Sequence, residues 1–179
     1  MLTNIRQYFF LRNLRYLLVA PRRTRRAHTL ETARTVGLLF DATAEKTRKE
    51  VLDYARILEK KGKKVQVLGY FDTKQPLTPA PDFAFFFKKE TTWTGQPKSE
   101  KAAQFAKEKF DLLLALNPDD LPPLTWLAAQ SAAAMKIGFA SEQPHDLDLQ
   151  LETPPEKGIR YFAEQLELYL GKIKVEGRG

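Results

Sequence analysis

Thr35-Val36-Gly37-Leu38-Leu39-Phe40-Asp41 is the stretch on which the reading of this chain turns. An unbroken apolar run that opens on two β-branched residues and closes on an acid suits a strand covered on both faces, because a strand with one wet face alternates polar and apolar residues instead. Asp41-Ala42-Thr43 carries a helix-start signal, with Asp41 as a helix-entry group. An apolar face then recurs at Val51, Tyr54, Ala55 and Leu58 until Gly62 stops the pattern. Lys64 to Phe71 reads as a second strand, so the chain beyond the seam begins as a βαβ unit, for which a right-handed crossover is expected.

The same alternation continues. Asp72 to Asp82, with Pro76, Pro79 and Pro81, is a loop; Phe83 to Phe87 is a short third strand or a buried extended piece; Thr91 to Pro97 turns around Trp93 and Gly95. Ser99 caps a helix to Lys109, Asp111 to Leu116 is a strand, and Pro122-Pro123 start a helix that runs towards Ala134. Lys136 to Ala140 is a further strand, Leu147 to Leu151 an edge strand, and Pro155 to Gly171 the closing helix. The expected architecture is α/β: a doubly wound, mostly parallel sheet of five or six strands, Rossmann-like or flavodoxin-like, over residues 35–179, preceded by a helix and linker in residues 1–34. Residues 35–179 are expected to fold alone, and no internal repeat is visible.

Charge divides at the same seam. The formal net charge is +7, and residues 1–34 hold all of it: Arg6, Arg12, Arg15, Arg22, Arg23, Arg25, Arg26 and Arg34 stand against Glu31 alone, with no lysine. The body is neutral and draws its cations mainly from lysine. An arginine fork pairs bidentately with phosphate where an ammonium acts as a point charge, so the segment points to an anionic partner. Arg22, Arg23, Arg25 and Arg26, joined by Arg12 and Arg15, are the candidate RNA- or anion-binding residues. Cysteine is absent, which excludes disulfides, thiolate zinc sites and cysteine nucleophiles; His28 and His145 are the only histidines, which excludes an all-histidine metal site.

Leu2 to Val19 reads as a helix that ends before Pro21. Phe10, Leu11, Leu14, Leu17 and Leu18 share one face, while Ile5, Phe9 and Tyr16 form a second stripe flanked by Arg6 and Arg12. Two stripes are more apolar surface than a free helix carries, so one is expected to dock on the body and the other is available to a protein partner or a membrane surface. Three arginines within the run oppose a membrane span. The run also lacks the uncharged core and small-residue cleavage site of a secretory signal, and the absence of serine from residues 1–30 opposes a mitochondrial transit peptide.

In a doubly wound sheet ligands sit outside the carboxyl ends of the strands, and those ends offer Asp41, Asp72, Asn117 and Ser141 as a candidate ligand site. The first strand-to-helix turn, Phe40-Asp41-Ala42-Thr43, has no glycine and places a carboxylate where a pyrophosphate would lie, so neither a dinucleotide site nor a P-loop is expected, and no cofactor. Ser141, His145 and Asp146 are read as a polar turn and not as a triad. Asp119 and Asp120 are read as helix-start acids, Asp146 and Asp148 as water-facing, and Trp93 and Trp126 as core aromatics.

The wording of the body resembles a family of small Bacteroidota proteins known only as a domain of unknown function. The residues that carry the likeness are Val36-Gly37-Leu38-Leu39-Phe40-Asp41, Trp93-Thr94-Gly95, Phe110-Asp111-Leu112-Leu113 and Lys136-Ile137-Gly138-Phe139-Ala140. This resemblance covers most of the chain and implies an α/β architecture in a bacterial cytoplasm, without an activity. Phe110 to Phe139 is also similar to a segment in the N-terminal domain of heptosyltransferase-like glycosyltransferases, which implies at most half of a sugar-nucleotide enzyme, since this chain has no room for the second domain.

Three classes of function follow: a non-catalytic adaptor whose arginines contact structured RNA, the ribosome included; a peripheral membrane protein, whose helix meets anionic headgroups at the inner membrane; and a small-ligand or sugar-nucleotide enzyme that uses the strand ends. RNA binding should track the arginines, and membrane binding Phe9, Phe10, Leu14 and Leu17. An enzyme should present a pocket in which Asp41, Asp72 and Asn117 converge.

Overall fold

The computed structural model describes residues 2–20, 23–73 and 79–172. Arg22, and residues 74–78 of the proline-containing loop, lie outside the described residues.

Six strands form one sheet in the order β3-β2-β1-β4-β5-β6, and every pairing is parallel. They are β1 Thr35–Asp41, β2 Lys64–Phe71, β3 Ala84–Phe87, β4 Leu112–Ala115, β5 Met135–Phe139 and β6 Leu149–Leu151. The helices are α1 Leu2–Val19, α2 Glu45–Lys60, α3 Glu100–Lys107, α4 Pro122–Gln130 and α5 Gly158–Lys172. This is the doubly wound α/β fold, with the strand order reversing between β1 and β4. Both edge strands are short, which limits the backbone they offer to stray pairing.

The central strand explains the layers. Val36, Leu38 and Phe40 point to one face and pack with Val51, Tyr54, Ala55 and Leu58 of α2 and with Ile159, Phe162, Leu166 and Leu170 of α5. Leu39 points to the other and packs with Phe105, Phe110, Leu113, Leu124 and Leu127 under α3 and α4. Gly37 shares that second face. A Cβ there would stand 2.7 Å from the Phe110 ring and 3.1 Å from that of Phe105, so the missing side chain admits the Phe105–Phe110 pair, whose centroids are 4.9 Å apart.

At the amino ends of β1 and β4 a reciprocal clip holds the register. The Asp111 carboxylate accepts the N–H groups of Arg34 (2.8 Å) and Thr35 (3.0 Å), while the Asp111 N–H donates to Thr35 Oγ1 (2.9 Å).

The α1 helix lies outside α4. Its stripe Phe10, Leu14 and Leu17 is buried against Ala129, with Leu11, Leu18 and Trp126 at the margin, as the 3.6-residue period predicts. Of the second stripe, Ile5 and Tyr16 are exposed, as are Tyr8 and Val19 near them, while Phe9 is half-buried against Trp93. No helix among the described residues is long and apolar enough to cross a membrane.

Candidate functional site

The four strand-end residues do not converge. Asp41 Oδ1 accepts the N–H (2.9 Å) and hydroxyl (2.6 Å) of Thr43, whose Oγ1 in turn accepts the Asp72 N–H (3.0 Å). Asp41 therefore closes its own turn and spans to the end of β2; the residue at the α2 N-cap is Ala44, with no side-chain bond. Asp72 accepts the Tyr70 hydroxyl (3.0 Å) and pairs with Lys88 Nζ (2.8 Å). The Lys88 ammonium holds the Asp72 carboxyl below its ordinary range, while burial and then the bond to Asp72 push the Tyr70 phenol up.

Asn117 and Ser141 lie on the other side of the switch point. They line a recess of about 40 Å³ with Asp120, which also borders a larger cavity that contains Asp72. Asn117 donates to the Asp119 carbonyl (3.1 Å), and its buried Oδ1 has no partner among the described residues. The Ser141 hydroxyl donates to Asp120 (2.6 Å), and His145 Nδ1 accepts the Leu147 N–H (3.1 Å), so serine and histidine form no nucleophile–base pair. The α4 N-cap is Leu121, and not Asp119 or Asp120. Pro122 and Pro123 have no N–H, and the N–H groups of Leu124 and Thr125 both return to the Leu121 carbonyl (3.0 and 2.9 Å). That helix start has no spare donor for a phosphate.

The arginine cluster is divided by the fold. Arg23, expected among the anion-binding residues, is turned inward with its side chain 4% exposed. Its guanidinium donates to Asp148 (2.8 and 3.0 Å), to the Asp146 carboxylate (3.2 Å), and to the carbonyls of Asp146 (2.7 Å) and Ala134 (2.9 Å). Asp146 and Asp148 consequently do not simply face water. They also serve Lys136, a fully buried strand residue that sequence reasoning passed over, whose ammonium donates to Asp146 (2.8 Å) and to the Ala129 carbonyl (3.1 Å). Burial lowers the Lys136 pKa to about 8, against the pull of Asp146. A lysine amid apolar residues in β5, followed at short range by two aspartates, was the available signal.

Arg12, Arg15, Arg25 and Arg26 are exposed. Arg25 makes a 3.6 Å contact with Asp148, and Arg12 stands over the Phe9 ring at 5.4 Å. Phe9 meets Trp93 edge-on at 5.7 Å. Trp93 is 63% exposed and not core; Trp126 is half-buried under α1. The outer face of α1 thus interleaves arginines with rings. Phe10, Leu14 and Leu17, expected among the residues a membrane would contact, are occupied by α4. Among the described residues no acid or histidine cluster is arranged to hold a metal.

Searches of curated proteins and of solved structures return no match. A family model does match, along the body and most of α1: the chain belongs, over residues 6–173, to a family of unknown function, DUF6913.

Proposed function

We propose that this protein is a non-catalytic binding protein whose N-terminal segment engages the phosphates of structured RNA, the ribosome among the candidates, in a cytoplasmic setting. The observation that carries the reading is the placement of the entire net charge on residues 1–34 together with the outward arginine and aromatic face of α1. Guanidinium groups neutralise phosphate, and Tyr8, Tyr16 and Trp93 offer surfaces on which unpaired bases stack. The contact set is Arg12, Arg15, Arg25 and Arg26, with Arg22 from outside the described residues; Arg23 is withdrawn from it by its internal bonds.

If four of these contacts form, affinity falls with log salt at a slope of roughly −3 to −4. Replacing Arg12, Arg15, Arg25 and Arg26 by lysine keeps the charge and removes the fork, so RNA binding should weaken. A second reading, peripheral attachment to an anionic membrane, is favoured by the aliphatic Ile5 and Val19 on the same exposed face. Undiminished binding by the lysine variant, with loss of liposome binding in Ile5→Asp and Val19→Asp, would replace the RNA reading by the membrane one. The likeness of Phe110–Phe139 to glycosyltransferases, and the proposed Bacteroidota kinship, add no donor-sugar site to this picture: α4 begins in prolines and β1 ends in an acid.

A further inference from the structure

On its inner side the first half of α1 roofs a cavity of about 330 Å³ at the carboxyl edge of the sheet, between the ends of β2 and β3 and the start of α4. We infer that this cavity binds a small polar molecule that carries one carboxylate beside hydroxyl or ammonium donors, with Arg6 on the carboxylate and Asp120 and Gln143 on the donors.

The volume falls at the small end of ligand cavities, roughly 300–1,000 Å³, and the location is where doubly wound sheets bind ligands. The polar groups in it are unequally occupied. Asp72 already neutralises Lys88 at 2.8 Å and takes the Tyr70 hydroxyl. Arg6, in contrast, borders the cavity from the exposed side of α1 and makes no hydrogen bond or ion pair among the described residues; it acts on Asp72 and Tyr70 only through space. Gly95, in the left-handed region at φ 97°, keeps the space beside it open: a Cβ there would lie 3.8 Å from Arg6 Nη2 and only 2.7 Å from Pro122. Asp120 accepts the Ser141 hydroxyl on Oδ1, and its other oxygen is left to accept from a ligand. Gln143 lines the cavity too, and among the described residues only its backbone N–H is engaged, by the Ser141 hydroxyl oxygen.

The anion is a carboxylate and not a phosphate for two reasons. A phosphate dianion is held by several converging donors, commonly the free N–H groups of a helix start, and Pro122 and Pro123 remove them here. Asp120 would also repel a dianion, whereas a single guanidinium fork matches a single carboxylate. None of this rests on the RNA reading, which uses the opposite face of α1.

The test is saturation-transfer NMR on the full chain at about 10 mM probe, suited to millimolar dissociation constants. Gluconate supplies a carboxylate with hydroxyls and L-serine a carboxylate with an ammonium; glucose 6-phosphate and glucose complete the set. Transfer to gluconate or L-serine, lost in Arg6→Gln, weakened about tenfold in Gln143→Ala and unchanged in Arg12→Gln on the outer face, is the expected result, and which of the two probes responds identifies the donor class. Silence from both carboxylates, transfer that persists in both the Arg6 and Gln143 variants, or transfer to glucose 6-phosphate alone overturns the inference. RNA affinity should be the same in Gln143→Ala as in the parent, so the two readings fail separately.

Discussion

Replacing Arg23 by Ala should destabilise the protein by about 3 kcal/mol. The guanidinium is almost fully enclosed and donates to two carboxylates and to the carbonyls of Ala134 and Asp146 at 2.7–3.2 Å. Removing one member of a buried ion pair costs about 3–5 kcal/mol, because the remaining charge keeps its desolvation penalty and loses its partner. The low end applies, since Asp146 and Asp148 are about one-fifth exposed and Asp146 retains Lys136. For a chain of this size the loss corresponds to a fall in Tm of roughly 6–12 °C. Reversible denaturant unfolding followed by circular dichroism measures it, with Arg25→Ala as the comparison. The Arg25 side chain is 64% exposed, and its loss should stay within about 0.5 kcal/mol. Equal, small effects for the two variants would refute the assignment of Arg23 to the body, and would return it to the surface set.

Leu14→Ala, at a site with no exposed surface between α1 and α4, should cost about 2–3 kcal/mol and shift the emission of half-buried Trp126 to the red; a loss below about 1 kcal/mol would mean that α1 is only loosely attached. Stability should decline as pH falls below 6.5. Burial lowers the pKa of His28, against Asp111 and aided by Arg26, so the unfolded chain takes up the proton first while the folded protein resists it. This contribution is present above about 6.5 and lost as pH falls towards the folded value; unfolding free energies at pH 7.5 and 5.5 for the parent and His28→Gln measure it, and an identical pH slope in both would remove His28 as its source.

Much of the fold was legible because its causes are local. A strand buried on both faces has no room for polar residues, so Val36 to Phe40 declares itself, and the 3.6-residue spacing of Phe10, Leu14 and Leu17 marks the docked stripe of α1 whatever it docks on. Proline and glycine placed the loops and the α4 start for equally local reasons. Asp41 was legible as a residue of the β1–α2 turn, but its choice of Thr43 over the α2 cap depends on backbone angles that composition does not state.

The candidate sites were less legible, because charge is visible in a sequence and its partners are not. Arg23 and Arg25 are the same residue type two positions apart. One is enclosed and the other exposed only because chain folding brings Asp146, 123 residues away from Arg23, to the amino end of β5. The layered α/β class, the helix that precedes it and the confinement of the positive excess to residues 1–34 are readable from the residues alone, since each follows from periodicity or composition. Which arginines remain at the surface, that Lys136 is buried, and that Arg6 shares a cavity with Tyr70 and Asp72 follow from long-range folding alone, because they depend on which distant groups the chain brings together and which charges it removes from water.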